Sequence, residues 1–72
     1  MKLRYYAETD SLYIDLNNRP GSESKEIATG VVVDFDDAGN IVGIDIDRAS
    51  KLLDLSELSL DQLPTKSQKI SA

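Results

Sequence analysis

The sequence predicts an α+β domain, a four-stranded antiparallel β-meander with a short C-terminal helix packed on one face. Three observations predict it. Apolar residues alternate at a period of two through residues 3–16 and again through 27–46, and the period becomes helical after Ile46. The stretches between are rich in Asn, Asp, Gly, Pro and Ser, residues that punctuate strands because they tolerate turn conformations or satisfy turn backbone. Seventy-two residues make one small domain, assigned to residues 1–63, with a tail at 64–72 expected to be disordered. A chain this short buries only about 60% of its unfolded surface and is marginally stable without help. With no cysteine, disulfides cannot supply it.

"LRYYA" and "LYIDL" read as a hairpin joined by the polar "ETDS". Pairing Ala7 with Leu12 sets Tyr5 against Ile14 and Leu3 against Leu16 on one face, and Tyr6 against Tyr13 and Arg4 against Asp15 on the other. "NNRPGSES" is a loop. A third strand is expected from Lys25 to Asp36, with Ile27, Thr29, Val31, Val33 and Phe35 on one face and Gly30 marking a bulge or close approach. The fourth strand, "IVGIDID", should turn Val42, Ile44 and Ile46 inward. In "DRASKLLDL", Ala49, Leu52 and Leu53 fall at helical spacing, and Asp47 is the expected N-cap, its carboxylate accepting a backbone N–H. From "SELSLDQLP" a single turn or irregular chain is expected, because Pro64 leaves no room for a helix to continue.

The segment "VVVDFDDAGNIVGIDID" holds five aspartates and no basic residue, and two readings compete for it. Asp34, Asp36, Gly39 and Asp45 fall at the first, third, sixth and twelfth positions of a calcium loop, the spacing that lets oxygens converge on a hard cation. The match is partial, with Ala38 at the fifth position, Asp in place of Glu at the twelfth, and strand-like flanks. The hairpin reading explains more residues. Phe35 pairs with Val42 and Asp36 with Ile41, "DAGN" is the loop, and Asp34, Asp36, Asp45 and Asp47 lie outward in solvent, with Asp34 opposite Gly43.

Composition narrows the function. Without histidine or cysteine, the chain lacks the usual neutral-pH base, the commonest nucleophile activator and the thiolate and imidazole metal ligands, so no catalytic residue and no cofactor is assigned. The formal net charge is −5, and all thirteen acids fall within residues 1–63. So acidic a body repels phosphate backbones, which argues against direct nucleic-acid binding. No run is long and apolar enough for a membrane span. The lack of cysteine and of an apolar segment near Met1 favours a reducing cytoplasm, and a cytoplasmic location is expected. Leu52, Leu53, Leu55, Leu58, Leu60 and Leu63 exceed what one short helix can turn inward. Either the segment wraps the sheet, or it presents a surface to a partner or to a second copy in a homodimer. The expected interaction surface is therefore Asp34, Asp36, Asp45 and Asp47 together with Leu55, Leu58 and Leu60.

"ETDSLYIDL", "EIATGVVVDFDDAGNIVGIDI" and "DRASKLL" together resemble the small prokaryotic proteins of the domain of unknown function 2283 family. The matching residues are Asp10, Tyr13, Ile14, Leu16, Gly30, Asp34, Asp36, Gly39, the run Ile41 to Ile46, Ala49 and Ser50. Asp45 stands where the family often shows glutamate. The resemblance implies a single-domain protein. Some members are encoded beside a small toxin-like protein, which implies an antitoxin-like or other partner-binding role, here toward a small basic protein. It brings no catalytic residues.

Overall fold

A computed structural model of the chain describes residues 1–64; apart from Pro64, the expected disordered tail lies outside them. The elements are β1 (Lys2–Tyr6), β2 (Ser11–Asp15), β3 (Glu23–Ala28), β4 (Val31–Phe35), β5 (Ile41–Ile46) and α1 (Ala49–Leu52). They form one antiparallel sheet of five strands in the order β1-β2-β5-β4-β3. The α+β class with an antiparallel sheet stands, while the four-strand meander is corrected twice.

First, the expected strand from Lys25 to Asp36 is two strands. A twelve-residue strand is about twice the usual length, and Gly30, at φ 78°, turns the chain back so that Ala28 faces Val31. Second, β2 pairs with β5 and not with its successor. The loop after β2 carries the chain to the far edge, and β3, β4 and β5 then return as consecutive antiparallel neighbours until β5 closes on β2. The loop has its own ties: Asn17 Oδ1 accepts the Arg19 N–H at 2.9 Å, and Asn17 Nδ2 donates to the Ile41 carbonyl.

The first hairpin pairs Leu3 with Ile14, Arg4 with Tyr13 and Tyr5 with Leu12, two residues away from the expected register. A two-residue slide leaves every side chain on its expected face. The turn is closed by Asp10 at φ 53°, a left-handed conformation that aspartate tolerates better than most residues. In the second hairpin Asp34 faces Gly43 as expected, but Phe35 faces Ile41. Val42 is therefore the extra residue of a bulge. It is buried, yet it lies beside Tyr13 and Asp15 and not with Ile44 and Ile46 as expected, because the bulge breaks the alternation.

The inner face carries Leu12 and Ile14 of β2, Ile44 and Ile46 of β5, and Val31 and Val33 of β4. Leu12, Ile46 and Ala49 form the buried cluster, with Ile14, Val31 and Ile44 packed against it. Helix α1 covers one end of this face through Ala49 alone, which is fully buried. Its N-cap is Arg48 in a left-handed conformation, which makes no side-chain cap bond. The expected cap, Asp47, is thus replaced by Asp10 of the β1–β2 turn. The Asp10 carbonyl accepts the Ala49 N–H at 2.8 Å, and its carboxylate accepts the Ser50 N–H at 3.1 Å and the Ser50 hydroxyl at 2.6 Å. Tyr5 donates to the same carboxylate at 2.7 Å. Asp47 instead donates its backbone N–H to the Gly30 carbonyl at 2.7 Å, fastening the β3–β4 turn to the end of β5.

Candidate functional site

The outer face is built around an absent side chain. Tyr13 stands on β2 diagonally across from Gly43 of β5, and a Cβ at Gly43 would come within 2.6 Å of the phenol Cζ. Only glycine leaves room for the ring, which crosses β5 and donates its hydroxyl to Asp34 Oδ2 on β4 at 3.0 Å. Ser24 of β3 donates to the other oxygen, Oδ1, at 2.6 Å. One hydrogen-bonded line thus spans β2, β5, β4 and β3, which turns a weakly packed face into a braced one. Burial, then the hydrogen bond to Asp34 and the charges of Asp34, Asp15 and Asp45, hold the Tyr13 hydroxyl above its usual pKa, so it stays protonated as the donor.

Asp45 pairs with Tyr13 across β2 and β5. Partial burial, then the charges of Asp47 and Asp34, push its carboxyl up. Asp36 lies elsewhere, in the hairpin loop. Its Oδ1 accepts the N–H groups of Ala38 at 3.0 Å and Asn40 at 2.9 Å, Oδ2 lies 3.4 Å from Arg19 Nε, and Gly39 at φ 85° completes the turn. The backbone N–H of Asn40 foremost, then that of Ala38, the Asn40 side chain and the Arg19 charge, hold the Asp36 carboxyl below its usual range.

The expected site residues therefore separate into three places. Asp34 and Asp45 share the outer face with Asp47 just beyond, Asp36 is occupied closing its own loop, and Leu55, Leu58 and Leu60 lie exposed in the segment after α1. Among the described residues no three of His, Cys, Asp or Glu converge as ligands. The calcium-loop spacing does not produce converging oxygens because a strand pair turns Asp34 and Asp36 to different tasks.

Two open clefts flank Tyr13. One of about 290 Å³ is lined by Lys2, Asp15, Asn17, Arg19 and Val42; the other, about 460 Å³, by Arg4, Tyr6, Ser11 and Asp45. The hydroxyl nearest a carboxylate at the helix is Ser50, but Asp10 is held below its usual range by Ser50 and Tyr5. So weak a base does not activate a serine. Neither the Asp10 clasp nor the Tyr13 brace is apparent from periodicity, although an isolated glycine in a strand is a signal of close approach.

The fold and its bracing define a class: a small antiparallel-sheet domain in which Asp10, Tyr13, Asp34 and Ser50 hold the sheet and its helix together. The chain belongs to the family described as protein of unknown function DUF2283, whose profile matches residues 2–50. No curated protein and no solved structure matches. The matched span ends at Ser50, so it includes both partners of the Asp10–Ser50 clasp and all three of the Tyr13–Gly43–Asp34 brace. Asp10, Tyr13, Gly30, Asp34, Asp36, Gly39, Gly43, Ala49 and Ser50, which carry the sequence resemblance, all have roles in the fold.

Proposed function

We propose that this protein is a non-enzymatic protein-interaction module of the cytoplasm, antitoxin-like, that neutralises a small basic partner protein through its acidic outer face. The observation that carries the reading is that Asp34, Asp45 and Asp47 lie near one another and form no ion pair among the described residues, although Arg4 lines the cleft beside Asp45. Among the described residues the one ion pair is Arg19–Asp36, away from Asp34, Asp45 and Asp47, and the Asp45 carboxyl is raised in part by those two neighbours. Like charges left facing one another favour any cation that approaches them. A Lys- or Arg-rich partner relieves that repulsion, and Leu55, Leu58 and Leu60, exposed in the segment after α1, offer apolar contact apart from the charge.

Pull-down from the native cell, followed by binding measured at rising salt, tests this. A stoichiometric basic protein is expected, with affinity that falls as salt rises and at least about tenfold loss in an Asp45→Lys, Asp47→Lys variant, as for close charge pairs. Recovery of no stoichiometric protein, or binding indifferent to both salt and the variant, overturns the proposal.

A further inference from the structure

We infer that the outer-face cleft between Tyr6 and Tyr13 is a binding site for a small amino-carboxylate, whose carboxylate Arg4 holds and whose ammonium Asp45 holds. The cleft follows from the brace. Arg4 pairs with Tyr13 on β2, and Tyr13 with Asp45 on β5, so one rung of the sheet reads cation, phenol, anion. The next rung sets Tyr6 opposite Ser11. Because Tyr13 carries its ring over Gly43 to reach Asp34, it leans away from Ser11. What lies behind it is short, a serine hydroxyl turned to the Thr9 carbonyl at 3.4 Å. The result is the cleft of about 460 Å³ whose lining includes Arg4, Tyr6, Ser11, Tyr13 and Asp45.

This cleft holds opposite charges that do not meet. Strands β1 and β5 flank β2, so the backbones of Arg4 and Asp45 stand two strand spacings apart, about 10 Å. Among the described residues neither joins an ion pair, and the Tyr13 hydroxyl between them is committed to Asp34. Asp45 is partly buried and faces the like charges of Asp47 and Asp34, so an ammonium arriving there offsets both costs. Arg4 presents a planar fork that takes a carboxylate through two hydrogen bonds. Tyr6, half exposed, offers a ring face to the methylenes between.

Charge and spacing select the ligand class. A simple anion is repelled at the Asp45 end and a simple cation at the Arg4 end, whereas a molecule that carries both charges several bonds apart satisfies the two together. An α-amino acid, with both charges on one carbon, spans the cleft poorly. The site needs no protein partner. It shares Asp45 with the acidic face proposed above, but Arg4 separates the two, since it serves an amino-carboxylate and opposes a basic protein.

Chemical-shift titration of the full chain with ε-aminocaproate, caproate, hexylamine and norleucine tests it. With ε-aminocaproate, shifts centred on the amides of Arg4, Tyr6, Ser11 and Asp45 are expected at millimolar affinity, ordinary for so small a ligand in an open cleft. The two singly charged probes and norleucine should bind at least about threefold more weakly, the scale of one solvent-exposed charge pair. Arg4→Gln should lose the same factor toward ε-aminocaproate while binding of a basic protein holds or tightens; Asp45→Asn should weaken both. If a variant does not fold, the four probes on the wild-type chain decide alone. No shift at the cleft up to about 50 mM ε-aminocaproate, equal binding of hexylamine or norleucine, or a folded Arg4→Gln variant that binds as the wild type does overturns the proposal; so does a cleft that responds only to a basic protein.

Discussion

The strands up to α1 and the segment after it both carry spaced apolar side chains, yet only the strands turn theirs into a core. Leu12, Val33 and Ile46 are buried, whereas Leu55, Leu58, Leu60 and Leu63 are all exposed by two-fifths or more. The difference lies in what fixes the backbone. Strand residues belong to ladders that set every second side chain facing the same way, and the ladders are locked by Asp10 on Ser50 and Tyr13 on Asp34. Among the described residues beyond Leu53 the one hydrogen-bonded tie is Asp54 accepting the Ser56 N–H and hydroxyl, which closes a turn within the segment. Apolar spacing without a frame orders no surface.

Substitution at the frame should therefore cost far more than substitution in the segment. The largest effect is expected for Ala49→Asp, which places a carboxylate where the side chain is fully buried; about 3 kcal/mol or more should be lost, measured by urea unfolding. Gly43→Ala comes next. Its Cβ collides with the Tyr13 ring, and a cost of about 1–3 kcal/mol is expected for the displaced ring. The same substitution in a Tyr13→Ala background should cost much less, since the obstruction is gone, so a double-mutant cycle isolates the pair. If Gly43→Ala is equally costly with and without the ring, the brace is not what requires glycine.

Acid should weaken the clasp at α1 before it touches the apolar core. Hydrogen bonds from Ser50 and Tyr5 depress the Asp10 carboxyl, so the folded state holds the charged form more strongly than the unfolded chain. The stabilisation is complete above the ordinary carboxylate pKa, near 4, and is lost as pH falls through the lowered folded value. Asp10→Asn should abolish that part of the pH dependence, read as stability from pH 6 to pH 2. Asp45 acts with the opposite sign. Its carboxyl is raised, so protonation relieves a strain of the fold, and Asp45→Asn should slightly raise stability at neutral pH. The smallest effect is expected for Leu58→Ser: within about 0.5 kcal/mol, as for surface positions away from any packing. A larger loss would mean that the segment is packed in solution, by a second copy or a partner.

Much of this frame is legible in the chain itself. Alternation located the strands, and the Asp34–Gly43 pairing and the loop closing at Gly39 follow from keeping Val31 and Val33 with Ile44 and Ile46. The two-residue slide of the first hairpin escaped because both registers satisfy the same faces, and the bulge at Val42 because alternation has no means of marking an inserted residue. Division of the long strand was signalled only by Gly30. Of the candidate site, the outward placement of Asp34 and Asp45 was legible, but their separation from Asp36 was not, since spacing along a chain does not say which carboxylates its own backbone will occupy.

By itself, then, the sequence determined the face of most strand residues, the turn after β1, the loop after β2, the turn after β4 and how much charge the surface bears, because these depend on local periodicity and conformational preference. The tertiary structure alone decided that β5 closes on β2, that Tyr13 reaches Asp34 across Gly43, and that Asp10 caps a helix forty positions away. Each of these joins groups distant in the chain, and their meeting depends on strand order, which no local preference encodes.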